Sequence, residues 1–154
     1  EDEPPPDPRL ADDPMKFNPA TVGTLRQLMM AGLDPGRGAA PLHCRLRYFD
    51  PHRRRAGVPE DVAALIDQMT DSHVRVTLVN TNQLVARRVV VQTGAYGEHQ
   101  CRKVTLGDLV TDVEGPAFTV TLAPGAGAQL TIETDRYANQ PTLVFPWDRW
   151  EIRK

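Results

Sequence analysis

Two short polar stretches hold the side chains best suited to ligand binding: residues 94–99, with the sequence GAYGEH, and residues 135–140, with the sequence DRYANQ. Sugar recognition pairs an aromatic ring, which covers the apolar face of a sugar, with planar polar groups that bond its hydroxyls. The predicted binding residues are Tyr96, His99, Tyr137, Asn139, Gln140 and Trp147. Because Tyr and Trp also commonly bridge core and solvent through one polar atom, a structural role is the alternative.

The cysteines and histidines allow a second kind of chemistry. His99 and Cys101 would share one face of a strand, which makes a zinc site geometrically feasible beside Glu98. Cys44 lies among the apolar residues of another predicted strand, where a buried thiol is the ordinary outcome. It could pair with Cys101 if the two strands were neighbours. Cys44 and Cys101 could therefore be inert thiols, form a disulfide or contribute to a metal site. We expect no cofactor.

The familiar catalytic motifs are missing from the sequence. Ser72-His73 is not part of a G-x-S-x-G turn. The glycine-rich run at residues 124–128 joins two predicted strands and has neither the lysine nor the following helix of a phosphate-binding loop. We therefore expect this segment not to be catalytic by itself.

Composition limits the partners. The chain has 154 residues, a formal net charge of -2 and an isoelectric point near 6.1, which argues against a general nucleic-acid-binding surface. No run approaches the roughly 20 apolar residues that a membrane-spanning helix needs. Neither nucleic acid nor a membrane is an expected partner.

Three segments are predicted along the chain. Residues 1–14 are acidic and rich in proline, as in a flexible linker. Residues 15–40 form a connecting helix and loop, with Asn18 as the helix cap, Pro19 in the first position and Gly32 at the end. Residues 41–154 form a β-sandwich domain, interrupted by a second helix at residues 59–69.

Alternating apolar residues dominate after residue 73. Val74, Val76 and Leu78 alternate with polar residues, and Val89-Val90-Val91 indicates a strand buried on both faces. No helical pattern separates these later strands, so a parallel α/β sheet is not expected. The sequence predicts a mainly β protein, an antiparallel β-sandwich with two short helices near the N-terminus.

The strand pattern also resembles a known family. The segments are V-x-V-x-L-V-N-x-N at 74–82, R-x-V-x-V at 87–91, F-x-V-x-L-x-P-G at 118–125 and L-x-I at 130–132. They resemble the β-sandwich accessory domain at the C-terminal end of bacterial carbohydrate-active, glycan-processing enzymes. The resemblance implies an immunoglobulin-like or glycosidase C-terminal sandwich that packs against a preceding catalytic domain. A helix at 59–69 departs from that pattern.

Three functions follow as hypotheses. The first is a non-catalytic structural domain of a larger glycan-processing enzyme, whose partner is the preceding catalytic domain of the same polypeptide or another chain. The second is a carbohydrate-binding module that holds a glycan with the 94–99 and 135–140 loops. The third is a small metal-dependent enzyme that uses Glu98, His99 and Cys101.

Overall fold

The computed structural model describes residues 22–33 and 41–149. Over these ranges the protein is mainly β, with two antiparallel sheets of four and five strands and a separate two-stranded ladder, which confirms the predicted class. The strands are β1 (Gly32–Leu33), β2 (His43–Cys44), β3 (Leu46–Asp50), β4 (Arg55–Ala56), β5 (Val62–Met69), β6 (His73–Asn80), β7 (Arg87–Thr93), β8 (Gln100–Leu106), β9 (Leu109–Gly115), β10 (Ala117–Leu122) and β11 (Gly127–Asp135). The described helices are α1 (Gly23–Met30) and α2 (Pro146–Arg149).

The chain passes repeatedly between the two larger sheets. The four-stranded sheet has the order β10-β7-β3-β4, and the five-stranded sheet has the order β5-β6-β11-β8-β9. Strand β7 belongs to the first sheet although β6 and β8 belong to the second, so distant segments become neighbours. The inner faces of both sheets contribute to one apolar core, which gives a sandwich-like arrangement.

The core follows the predicted alternation. Val74, Val76 and Leu78 are fully buried, whereas the residues between them are partly exposed. The Val89–Val91 segment is buried throughout, as predicted for a strand covered on both faces. Val89, Val91 and Leu46 of one sheet join Val74 and Ile132 of the other in the same cluster.

The predicted helix at 59–69 is wrong, because β5 occupies Val62–Met69 and pairs with β6. Val62, Leu65, Ile66 and Met69 fit helical spacing, but Val62, Ala64 and Ile66 also alternate with period two. The second pattern is the one buried: Leu65 is exposed and Ile66 is not. The neighbouring strand supplies hydrogen bonds that a sequence window cannot reveal.

The other helices also differ from expectation. Helix α1 begins at Gly23 and ends before Ala31, which has a left-handed φ of 46°. The predicted cap residues Asn18 and Pro19 lie outside the described residues, as do the linker at 1–14 and residues 34–40. The second described helix, α2, lies at the C-terminal end rather than near the N-terminus. No described helix is long and apolar enough to cross a membrane.

Candidate functional site

The 94–99 loop is closed by its own carboxylate. Glu98 is buried, and its carboxylate accepts hydrogen bonds from the backbone N–H groups of Ala95 (3.2 Å) and Tyr96 (2.8 Å). Gly94 and Gly97 have φ values of 82° and 72°, a region that favours glycine, and they allow the chain to fold around the carboxylate. Glu98 therefore holds the loop in place.

His99 is buried and binds the backbone of the second loop, residues 135–140. Only 2% of its surface is exposed, and its Nδ1 accepts a hydrogen bond from the Tyr137 backbone N–H (3.1 Å). Burial lowers the pKa of His99; Glu98 opposes this effect, and Arg45 and Arg136 add to it. The His99 and Tyr137 rings meet edge to face, with their centroids 4.8 Å apart. Tyr137, which has a left-handed φ of 55°, is 59% exposed.

Tyr137 connects this loop to an open cleft beside α1. Its hydroxyl lies 3.2 Å from Nε2 of His43, and the Arg136 guanidinium lies over its ring at 5.2 Å. His43 and Arg136 both line the cleft, which has a volume of about 830 Å³ and is called the α1 cleft below. The lining also includes the polar residues Thr24, Gln27 and Thr70 and the apolar residues Leu28, Ala31 and Met69.

Contacts with the four-stranded sheet fix the helical wall of the α1 cleft. The Tyr48 hydroxyl donates a hydrogen bond to the Met29 carbonyl at 2.6 Å. The backbone N–H of Arg45 donates to the Met30 carbonyl at 3.0 Å. Because these carbonyls lie at the end of α1, both bonds also satisfy acceptors that a helix end leaves unpaired.

Two guanidinium groups lie in the α1 cleft. Arg45 is 7% exposed, and one of its Nη atoms donates to the Asp71 carbonyl at 3.3 Å, but its Nε has no hydrogen-bond partner. Burial lowers the pKa of Arg45, and the nearby positive charge of Arg136 lowers it further. Arg136 lies 3.5 Å from the exposed Asp71 carboxylate. The cleft thus contains a buried cation with an unused donor.

Asn139 and Gln140 of the second loop do not line the α1 cleft. The Asn139 backbone N–H donates to the Glu98 carbonyl at 3.1 Å, and its side-chain amide lies 3.3 Å from the Gln100 side chain. These bonds connect the two predicted loops. Gln140 is exposed.

Tyr96 and Trp147 lie in a different group. Tyr96 accepts a hydrogen bond from the Leu42 backbone N–H at 3.0 Å and lines a pocket of about 160 Å³ with Phe49, Phe145 and Arg149. Trp147 stacks on Phe145 with ring centroids 5.0 Å apart. The six predicted binding residues are therefore divided. His99, Tyr137 and Asn139 come together, Tyr96 and Trp147 lie with Phe145 instead, and Gln140 is exposed.

The cysteines are free thiols in this structure. Cys44 and Cys101 are both buried, and burial raises the pKa of each to about 12. At neutral pH both are protonated, which makes them poor nucleophiles and poor metal ligands. Within residues 22–33 and 41–149, no three His, Cys, Asp or Glu side chains are grouped to hold a metal ion.

Sequence reasoning did not select the charged residues of the α1 cleft. The alternation at 42–48 places His43 and Arg45 together on a polar face. In the structure β2 ends at Cys44 and β3 begins at Leu46, so Arg45 lies at a bend and turns inward. No signal in the sequence indicates that bend.

Comparison with protein-family models, curated proteins and solved structures found no match for this chain.

Proposed function

We propose that this chain is a non-catalytic accessory domain of a glycan-processing enzyme and that it binds a glycan in the α1 cleft. The observation that carries the proposal is the cleft itself, where His43, Arg45 and Arg136 converge beside the exposed ring of Tyr137. The class of enzyme is taken from the resemblance in strand pattern.

The α1 cleft has the size and lining of a sugar site. Its volume of about 830 Å³ falls within the roughly 300–1,000 Å³ of ordinary ligand sites. Thr24 and Gln27 offer hydroxyl and amide groups to sugar hydroxyls, while Leu28 and Met69 offer an apolar surface to a ring face. Tyr137 adds an exposed aromatic ring that contacts two lining residues, His43 and Arg136.

The chemistry of the two loops favours binding over catalysis. Glu98, His99 and Asp135 are the His and carboxylate residues of these loops, and Asp135 is paired with Arg102. The Glu98 carboxylate is engaged with two backbone N–H groups, and His99 Nδ1 is engaged with a third. General acid–base catalysis requires such atoms to reach the substrate.

A docking role is the second candidate, because apolar side chains are exposed at both ends of the described chain. Leu143 is 83% exposed and is followed by the exposed Val144 and Phe145. Val22 and Leu25 of the helical segment are also exposed. Such patches commonly mark contacts with a neighbouring domain, as the resemblance implies.

Titration of the folded chain with neutral and acidic oligosaccharides tests the proposal. We expect binding by wild type and a loss of roughly two- to tenfold in Tyr137→Ala, since an aromatic contact contributes about 0.5–1.5 kcal/mol. Trp147→Ala, which alters the separate aromatic group, is the matched control and should bind as wild type does. Thermal unfolding verifies that each variant is folded at the assay temperature.

Two outcomes contradict the glycan proposal. The first is that none of the oligosaccharides binds, which leaves docking as the better explanation of the fold. The second is binding that Trp147→Ala removes and Tyr137→Ala does not, which would move the site to the smaller pocket.

A further inference from the structure

We propose that the α1 cleft selects sugars that carry an oxyanion, a carboxylate or a sulfate, and that Arg45 and Arg136 bind this group. The inference rests on the proposed function and adds the chemical class of the ligand. It follows from the charge of the cleft, from the unused donor of Arg45 and from the polar and apolar groups around it.

The described lining of the α1 cleft has more arginines than carboxylates. Two arginines line the cleft with Asp71, which is the one carboxylate among the described lining residues. Asp71 is fully exposed and lies 3.5 Å from Arg136, so solvent weakens its effect. Its side chain makes no hydrogen bond to Arg45, which reaches only the Asp71 backbone carbonyl. The lining therefore has an excess of positive charge that a bound anion would offset.

The Nε–H group of Arg45 has no hydrogen-bond partner. A buried polar N–H without a partner destabilises the folded state by roughly 1–3 kcal/mol, so such groups are uncommon. Arg45 is more than nine-tenths buried, lines the cleft and leaves Nε unpaired. A guanidinium presents Nε and one Nη as a fork that matches the two oxygens of a carboxylate or sulfate. The Nε atom itself has almost no exposed surface, so a ligand oxyanion would bond the outer Nη atoms and would reach Nε only if the side chain turned toward the cleft.

Arg45 and Arg136 lie close to each other, because both reach Asp71: Arg45 donates to its backbone carbonyl at 3.3 Å, and Arg136 lies 3.5 Å from its carboxylate. The positive charge of Arg136 adds to the lowering of the Arg45 pKa that burial causes. An anion held between Arg45 and Arg136 would attract both guanidinium groups and offset the repulsion between them. The Tyr137 ring lies under Arg136, which positions this guanidinium at the rim.

Arginines also line the other described pockets, and most of them are engaged within the chain. Arg87 forms ion pairs with Glu60 and Asp61, although its Nε, like that of Arg45, is buried without a partner. In the smaller pocket, Arg47 donates to the Ala95 carbonyl at 2.9 Å, and Arg149 donates to the Val144 carbonyl at 3.0 Å. The α1 cleft differs from the smaller pocket in volume, about 830 Å³ against about 160 Å³, and so has room for a sugar that carries an anion.

Calorimetric titration with matched probes tests the selectivity. The carboxylate probes are oligogalacturonate, oligoalginate and hyaluronan hexasaccharide, and the sulfated probes are carrageenan oligosaccharides. Methyl-esterified oligogalacturonate and cellohexaose are the neutral probes, and inorganic sulfate is the free anion. We expect one acidic sugar class to bind at least about tenfold more tightly than the neutral sugars, because charge-assisted hydrogen bonds are the stronger ones. Affinity should fall as salt concentration rises.

Substitutions locate the effect. Arg136→Gln should reduce affinity for the acidic probe by about tenfold and leave neutral sugars nearly unaffected. Arg45→Lys retains the charge but loses the fork, so it should also weaken binding. Arg102→Gln is the control, because Arg102 is an exposed arginine paired with Asp135 away from the cleft lining. If Arg45→Lys does not fold, Arg136→Gln still decides the question.

Each outcome has a distinct meaning. Preferred binding of an acidic sugar, lost in Arg136→Gln and retained in Arg102→Gln, supports the inference, and the carboxylate and sulfate arms show which group is bound. Equal binding of acidic and neutral sugars overturns the inference while the proposed function stands. Inorganic sulfate binding as tightly as the acidic sugars overturns the assignment to a sugar. If no sugar binds, both the inference and the proposed function fail.

Discussion

Buried polar side chains fix the shape of the 94–99 loop. The Gln92 side-chain amide donates to the carbonyls of Gly94 (3.2 Å) and Ala95 (3.1 Å), while the Glu98 carboxylate accepts from the N–H groups of Ala95 and Tyr96. One backbone segment therefore has both its donors and its acceptors satisfied by neighbouring side chains. His99, which follows this loop, accepts a hydrogen bond from the Tyr137 backbone N–H, so the position of the exposed Tyr137 ring depends on the loop.

Removal of the Glu98 carboxylate should destabilise the protein. In Glu98→Ala two buried N–H groups lose their acceptors, and we expect the free energy of unfolding to fall by about 2 kcal/mol. Urea denaturation at neutral pH measures the change. Glu133→Ala, which removes an exposed carboxylate from β11, is the control and should change stability by less than about 0.5 kcal/mol. Equal stability of Glu98→Ala and wild type would show that the loop does not depend on this contact.

At the level of elements, the edge strand β5 determines one side of the α1 cleft. Met69 lies at its end and lines the cleft, and Thr70 and Asp71 follow in the turn to β6. Had this segment been a helix, Leu65 and Met69 would face the core. Pairing with β6 exposes both and brings the turn to the cleft.

A pair of substitutions in β5 tests this assignment. Ile66→Ala removes a buried side chain, and we expect the free energy of unfolding to fall by about 2–4 kcal/mol. Leu65→Ala removes the adjacent exposed side chain and should change stability by less than about 1 kcal/mol. Chemical denaturation of both variants measures the difference. Similar losses at the two positions would favour the helical pattern instead.

At the level of the whole molecule, the α1 cleft exists because segments far apart in the chain meet. Helix α1, the β2–β3 bend, the β5–β6 turn and the loop after β11 all contribute lining residues. Two hydrogen bonds join α1 to the sheet, and Tyr137 lies close to His43, 94 positions earlier. Global unfolding therefore removes the site.

His99 should make that stability depend on pH. Burial holds its folded pKa below the unfolded value, near 6.5, so the unfolded chain binds a proton that the folded chain does not. The stability contributed by neutral His99 is fully present above about pH 6.5 and is lost as pH falls through the folded pKa. We expect wild type to be less stable at pH 5 than at pH 7, as measured by urea denaturation.

The His99→Asn variant isolates this effect. Its side-chain oxygen can still accept the Tyr137 N–H bond but does not titrate, so stability should fall less between pH 7 and pH 5. Asp61 and Asp67 also have lowered pKa values, but their losses begin below about pH 4, outside this interval. Identical pH profiles for the two proteins would exclude His99 as the source.

The strands that alternate clearly were predictable, and the ambiguous segment was not. Val74, Val76 and Leu78 allow one buried face, whereas the apolar residues at 62–69 fit both a strand and a helix. The predicted loops that carry His99, Tyr137 and Asn139 do meet. Their meeting depends on strand pairing between β8 and β11, which local sequence does not encode.

By itself, the sequence determined the mainly β class, because apolar alternation and side-chain burial are both governed by the two-residue period of a strand. It also directed attention to Tyr137 and His99, whose side-chain chemistry is evident from their identity. Only the tertiary structure decided that β5 is a strand, that Glu98 is occupied by backbone N–H groups and that Arg45 is buried with an unpaired donor. Those properties depend on which distant groups a side chain meets, and such contacts arise only when the sheets pack together.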